Sequence, residues 1–310
     1  MEAIRIGETI FRRRREQGFS QKQVCEGLCT TMAFSRLENG QQLPSRDCLV
    51  AILQRLGLPD NDWYSFYLTE NELRLATLRR KIMACGGRSV RMEGGEQRQA
   101  CSVGLQVSRE ISKYIKEDNH ISRQYILFYQ TPIGTENSPW SNEEQLERYM
   151  MAIRLTIPHF CLDRVDRYLY SNIELAIVSD IAVCYARGGQ RRKAINIYRQ
   201  LIDTIQFHYP YHTYLPLVAR NYALYLDMEK RYEEALEITS LGKETAIRRE
   251  HYLTLPYLTH IEAECNYYLG RLDESKELYR RAYHLYLAVD EKADLVILKG
   301  EAKERLGLTF

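Results

Sequence analysis

The sequence predicts an all-α protein in two parts, and three observations predict it. Phe19 to Gly57 reads as short helices joined by tight turns. From Pro59 onward nearly every segment has amphipathic helical spacing, with none of the alternating β-branched runs that strands need. Within that second stretch, small, aromatic and glycine residues recur together at a spacing of about 40 residues, the mark of stacked helix pairs winding into a superhelix. The expected division is a helix-turn-helix domain over residues 1–66 and a helical-repeat domain over 67–310.

The first part follows from its caps. Ser20 and Gln23 fit a capping box, which opens a helix with Val24 and Leu28 on one face. Thr30 or Thr31 caps a second short helix whose inward side carries Phe34 and Leu37, and Asn39-Gly40, which tolerate the left-handed conformation, stop it. Pro44-Ser45 opens a further helix with Leu49, Ile52, Leu53 and Leu56 inward. Two short helices joined by a tight turn and flanked by packing helices make a helix-turn-helix, a motif that sets its second helix in the DNA major groove.

The second part follows from its period. One repeat reads AVCYARGGQRRKAINIYRQL, the next NYALYLDMEKRYEEALEI and the third AECNYYLGRLDESKELYRRA; aligned at Ala194, Ala235 and Ser275, the steps are 41 and 40 residues. Ala182, Ala223 and Ala263 let the first helix of each pair approach the second closely. Ala194, Ala235 and Ser275 do the same from the second helix, and tyrosines, 23 in the chain, fill the space between. The pattern resembles the tetratricopeptide repeat with each helix lengthened. A weaker copy is expected around Glu144 to Thr156, preceded by a helix over Ser122 to Gln130 and a loop through Pro132, Gly134 and Pro139, and an earlier pair over Asn71 to Lys116. The last helices, Asp273 to Leu285 and Glu291 to Leu306, have no following repeat to cover them and are the expected contact of a homodimer.

Composition bounds the rest. No run of about 18 apolar residues exists, so no membrane span is expected. Arg5 and Arg12 to Arg15 are followed by no apolar stretch, so a secretory signal is not expected either. Eight cysteines, at 25, 29, 48, 85, 101, 161, 184 and 265, are scattered through helical patterns and read as reduced thiols of a cytoplasmic protein. Net charge is only +2, but residues 1–58 hold nine basic residues (5, 12, 13, 14, 15, 22, 36, 46, 55) against six acids (2, 8, 16, 26, 38, 47). So modest a basic head needs geometry or dimerisation to bind phosphates tightly.

The segment QVCEGLCTTMAFSRLENG, followed by QRLG at Gln54 to Gly57, resembles the Cro/repressor-type helix-turn-helix of Rgg-like regulators. LTIPHF at Leu155 to Phe160 and the repeats that follow are similar to that group too, and so to the wider RNPP class of peptide-sensing regulators in Gram-positive bacteria. Ala33 and Phe34 depart from the family pattern, where a small polar and an aliphatic residue are more usual. The resemblance implies a cytoplasmic, homodimeric transcription factor that binds double-stranded DNA and receives a short signalling peptide in its repeat domain.

Candidate residues follow. The outward side of the second motif helix offers Thr31, Met32, Ala33, Ser35 and Arg36: hydroxyls and guanidinium for base edges or phosphates, apolar groups for a thymine methyl. Gln21 at a helix N-terminus, Asn39 and Gln41 after the second helix, and Arg13 in the basic run complete the expected DNA set. Gln21 equally suits plain capping support, and Met32 internal packing. Counting along each repeat's first helix places Ser179, Val183 and Arg187, then Arg220, Asn221, Leu224 and Asp227, then His260, Glu264 and Tyr267 on the concave, peptide-binding face. Asn221 is informative because an amide donates and accepts at once, as a peptide backbone requires. A local bond between helices would explain Asn221 as well, and a mutually paired face would explain Arg220, Asp227 and Glu264. Cys25 and Cys29 lie four apart, but with no second pair nearby they read as core, not as metal ligands. His208 and His212 are also four apart, with Pro210 between them spoiling a helical ligand face. No nucleophile elbow, Walker loop or dinucleotide fingerprint occurs, so neither enzymatic activity nor a cofactor is expected. Two rival readings are a DNA-binding regulator whose repeats hold a protein partner, and an enzyme targeted to nucleic acid.

Overall fold

The computed structural model describes residues 2–58, 119–131, 140–208 and 212–310. The expected helix pair at Asn71 to Lys116, the loop through Pro132, Gly134 and Pro139, and the boundary at residue 66 lie outside the described residues. Among those described, all regular structure is helical: thirteen α-helices and two 3-10 turns. The chain forms two compact units, Met1–Gly188 and Gly189–Phe310. The expected head therefore shares a unit with the first repeat helices, and the division falls between the two helices of the first strong repeat.

In the first unit, α1 (Glu2–Glu16), α2 (Gln21–Cys25), α3 (Thr31–Glu38) and α4 (Arg46–Arg55) make the head. The Ser20–Gln23 capping box forms as expected, and of the two threonines it is Thr30 that caps α3, accepting from the Ala33 N–H. Val24, Phe34, Leu37, Ile52 and Leu56 are at most 1 % exposed and form the core as their spacing implies, but α2 ends at Cys25, so Leu28 falls in the turn beyond the helix and is only half-buried. Then follow α5 (His120–Tyr129), α6 (Asn142–Arg154) and α7 (Asn172–Arg187). The first two are the expected weak repeat; they pack together, and α6 packs on α7.

The second unit contains α8 (Arg191–His208), α9 (Leu215–Met228), α10 (Tyr232–Arg248), α11 (Leu255–Tyr268), α12 (Leu272–Ala288) and α13 (Lys292–Leu306). Each packs on the next, and α9 also packs on α11. All six small residues picked out by the period, Ala182, Ala194, Ala223, Ala235, Ala263 and Ser275, are 0 % exposed. Serine fits the alanine register because its hydroxyl donates to the Ala263 carbonyl at 2.8 Å. Gly242 takes the close approach further: a Cβ there would lie 2.9 Å from the Ala219 Cβ and 3.0 Å from Leu258 Cδ1. Rings fill the remaining space, with Tyr198 stacked against Tyr222 and Tyr225, and Tyr232 against Tyr268 at 5.1 Å.

Four of the left-handed residues in this unit stand at an even step of 20: Lys230 (φ 61°), Glu250 (φ 55°), Gly270 (φ 78°) and Asp290 (φ 56°). After each, the next N–H returns to the carbonyl five residues back, as in Arg231 to Leu226 (2.9 Å) and Arg271 to Asn266 (2.9 Å). The 40-residue repeat is thus two halves closed by one turn geometry, and only one of the four turns uses glycine. A Cβ in this conformation costs about 1–2 kcal/mol, partly offset by the greater unfolded-state freedom of glycine. Lys230→Gly is therefore expected to stabilise the unit by roughly 0.5–1 kcal/mol. A thermal midpoint unchanged or lower than that of the parent would contradict it.

Candidate nucleic-acid interface and ligand face

The head is held rigid by one buried cluster. Arg14, 5 % exposed, grips Glu38, 6 % exposed, with both arms of its fork: Nε to Oε1 at 2.6 Å and Nη2 to Oε2 at 2.9 Å. Its Nη1 donates to the Phe19 carbonyl, and the Gln21 amide donates to Glu38 Oε2 at 2.7 Å. Three helices are tied at one carboxylate, which sets the angle between α2 and α3. Gln21 thus has a role inside the head. Arg13 is also turned inward, with Nε on the Leu56 carbonyl at 3.1 Å and Nη1 3.8 Å from Glu16. Arg12 and Arg15 are the members of the basic run that stay exposed.

With Phe34 and Leu37 buried, the opposite side of α3 faces out. Thr31 and Arg36 are exposed, Met32 is 67 % exposed, and Ala33 and Ser35 are half-buried. Met32 therefore does not pack internally. Asn39 and Gln41 are exposed beyond the helix end. Hydroxyl, apolar and guanidinium groups thus share one surface of a firmly seated helix. Cys29 lies between Cys25 and Cys48. Its hydrogen bond with Cys25 pulls the thiol down, but Cys48 and burial outweigh that and push it up to about 12. The Cys29 neighbour and burial likewise push the Cys25 thiol up, so both stay protonated.

The expected ligand face divides between the units. On α7, Ser179 is 2 % exposed, leaving no side-chain surface for a ligand, while Val183 is half-buried and Arg187 donates to Gln145 Oε1 at 3.3 Å. In the second unit the remaining positions come together. Arg220 lies over the Tyr257 ring at 4.6 Å, and Asn221 is half-buried on the same helix. Leu224 is 37 % exposed, and Asp227 accepts from the Cys265 thiol at 3.5 Å. His260 Nε2 meets Glu301 Oε2 at 2.8 Å, and Glu264 accepts from Arg305 at 2.7 Å. Arg305 also lies against the rings of Tyr267 and Tyr268. His260, Glu264 and Glu301 place their ligand atoms within 4.8 Å of one another, but the Arg305 guanidinium already occupies that cation position.

Residues 110–304, more than half of the chain, match the RNPP family C-terminal domain. The chain belongs to the RNPP family. Residues 5–63 match a helix-turn-helix domain. The structure of Bacillus thuringiensis PlcR in complex with the peptide PapR7 and DNA is similar, with a TM-score of 0.58 at 19 % identity over 95 % of this chain and 99 % of that one. The apo form of PlcR gives 0.58 at 18 % identity over 95 % and 98 %. ComR from Streptococcus vestibularis, in complex with its signalling peptide XIP, gives 0.52 at 15 % identity over 99 % of each chain. No curated protein sequence matches the chain. The family and these solved relatives are regulators, not enzymes. No described helix of this RNPP protein is long and apolar enough to cross a membrane.

Sequence reasoning missed two members of the charged cluster that were within its reach. Counting one more repeat of 41 from His260 and Glu264 lands on Glu301 and Arg305. It could not have found the state of Asp227. Burial, and then the neighbouring Glu264, raise this carboxyl to about 6. The folded form then holds its proton more tightly than the unfolded chain, so the contribution of Asp227 to stability is full below about pH 4 and lost as pH rises through about 6. Asp227→Asn is therefore expected to be more stable than the parent at pH 8, by about 1–2 kcal/mol after allowing for partial exposure, and equal to it near pH 4. Parallel chemical denaturation of both proteins at the two pH values checks the crossover.

Proposed function

We propose that this RNPP protein is a sequence-specific DNA-binding transcriptional regulator, controlled by a short peptide bound on the inner face of its repeats. It acts as a homodimer in the cytoplasm. The observation that carries the reading is α3: Phe34 and Leu37 anchor it at 0 % and 1 % exposure, while Thr31, Met32 and Arg36 project outward. A seated helix of this kind offers hydrogen-bonding and methyl-contacting groups to a major groove. PlcR with PapR7 and DNA, and ComR with XIP, support by their fold the assignment of DNA and peptide to the two parts of this chain.

Arg36, Thr31, Met32, Ala33 and Ser35 are the proposed base-facing set, with Asn39, Gln41 and the exposed Arg12 and Arg15 of the basic run nearer the backbone. Gln21 acts through its grip on Glu38. Two heads about 34–36 Å apart, or a multiple, would read a two-fold site, which the small positive excess of a single head requires. Within the second unit the peptide face takes its apolar share from Leu224 and Tyr267 and its backbone partner from Asn221, because an extended peptide presents one donor and one acceptor per residue. To regulate, the peptide must bind one arrangement of the heads more tightly than the other.

The test is native mass spectrometry of protein purified from its own host, followed by calorimetry with peptides encoded in neighbouring short reading frames. A dimer mass with a retained peptide is expected, and Asn221→Ala should weaken that peptide by about 1–3 kcal/mol. A monomer with no peptide bound would overturn the peptide-controlled dimer and favour a protein partner.

A further inference from the structure

Within the first unit a buried arginine ties the head to the repeat helices. Arg55, the last residue of α4, is 1 % exposed. Its five N–H donors find five acceptors. Nε and Nη2 reach the Glu174 carboxylate at 3.4 and 2.7 Å, and Nη2 also reaches the Thr156 carbonyl at 3.2 Å. Nη1 donates to the carbonyls of Val24 and Glu26 at 3.0 and 2.7 Å. Val24 lies in α2 and Glu26 opens the turn into α3, the turn that defines the motif. Glu174 lies in the first turn of α7, where the same carboxylate takes the Ser171 N–H at 2.6 Å and the Thr156 hydroxyl at 2.6 Å.

Neighbouring contacts point the same way. Gln54, beside Arg55, accepts the Asn172 N–H at 3.0 Å, so two consecutive residues of α4 hold the start of α7. Gln124 on α5 donates to the Thr156 hydroxyl at 2.6 Å. Gly27, in the motif turn with φ +69°, has no space for a side chain: a Cβ would sit 2.0 Å from the Thr156 carbonyl oxygen. Burial pushes the Glu174 carboxyl up, but the Arg55 guanidinium beside it, with the hydrogen bonds from Ser171 and Thr156, holds it below the usual carboxylate range.

For stability alone, a well-packed apolar pair would serve as well as a buried ion pair, whose desolvation offsets its attraction. What a bidentate fork adds is a fixed angle. We propose that Arg55, Glu174 and Thr156 form a positioning joint that sets the orientation of the DNA-reading head on the repeat helices. The joint grips the rear of the head, the end of α4 and the α2–α3 turn, and leaves the outward face of α3 uncovered. A shift of the α7 N-terminus is thereby passed directly into the motif turn. The orientation itself does not rest on the proposed function; its consequence for DNA does.

The test is pulsed electron spin resonance on the full chain, with labels on ketone-bearing residues at the exposed positions Lys22 of α2 and Glu147 of α6. The parent should give one narrow distance distribution. Arg55→Lys keeps the charge but loses the fork, and Glu174→Gln keeps the cap but loses the charge. Each should broaden the distribution about twofold. The double variant Arg55→Met with Glu174→Met should recover the parental thermal midpoint yet stay broad, which a joint that only stabilises would not do. Parental width in both single variants, or in the folded double variant, overturns the proposal. A second measurement uses duplexes selected by the parent from random DNA: the variants should keep affinity for one half-site and lose preference for half-site spacing. If the parent selects no duplex, the DNA-binding reading fails while the distance result still decides the joint.

Discussion

Glu38→Ala is expected to cost about 3–5 kcal/mol, enough to melt the head at growth temperature in a domain whose whole stability is on the order of 5–15 kcal/mol. The reason is what stays behind. Arg14 would keep its buried guanidinium with both arms of the fork empty, and Gln21 would lose its acceptor. An unpaired buried charge is penalised far more than the intact pair is rewarded. Replacing both partners by leucine removes the charge problem and should recover most of the loss, so Arg14→Leu with Glu38→Leu should be clearly more stable than Glu38→Ala. Hydrogen exchange locates the effect: amides of α1, α2 and α3 should lose protection in Glu38→Ala, while those of α9 to α12 keep theirs. Equal protection throughout, with an unchanged melting curve, would show that the cluster does not hold the head.

What was legible in the sequence was what is encoded locally. Ser20 and Gln23 stand three apart, and a capping box needs nothing else. Phe34 and Leu37, and the six small residues of the repeats, lie at spacings that one helix face dictates, and all are essentially buried. What escaped was pairing across distance. Arg14 and Glu38 are 24 residues apart, and Arg55 and Glu174 are 119 apart. In a single sequence a charged residue on an amphipathic helix reads as solvated face, because nothing local distinguishes an arginine that will lie under a second element. Glu174 was doubly hidden, since its capping box with Ser171 accounts for it without Arg55. Thr156, inside the LTIPHF segment that resembles Rgg-like regulators, is the node where α5, α7 and the motif turn meet. The basic run shows the opposite case: helical spacing correctly says that four arginines cannot face one way, but not that Arg14 is the buried one.

Arg36→Ala should abolish useful DNA recognition while leaving the fold intact. The side chain is exposed on α3, opposite Phe34 and Leu37, so its loss opens no cavity and strands no buried partner. A thermal midpoint within the noise of the parent is expected. A guanidinium that reaches a guanine edge contributes about 1–3 kcal/mol of discrimination. In a dimer both heads lose it, and two well-separated contacts add, so operator affinity should fall by roughly 2–6 kcal/mol, about 30-fold to more than 10,000-fold. Salt separates the two kinds of contact that Arg36 could make. If it reads a base, specific affinity should drop while the slope of log affinity against log salt is nearly unchanged and residual binding to random DNA persists. If it meets only phosphate, affinity for every sequence should fall together and the slope should shrink by about one unit per head. A mobility-shift titration with the selected operator and with random DNA, at three salt concentrations, distinguishes these outcomes. Operator affinity equal to that of the parent at all three would remove Arg36, and with it the outward face of α3, from the interface.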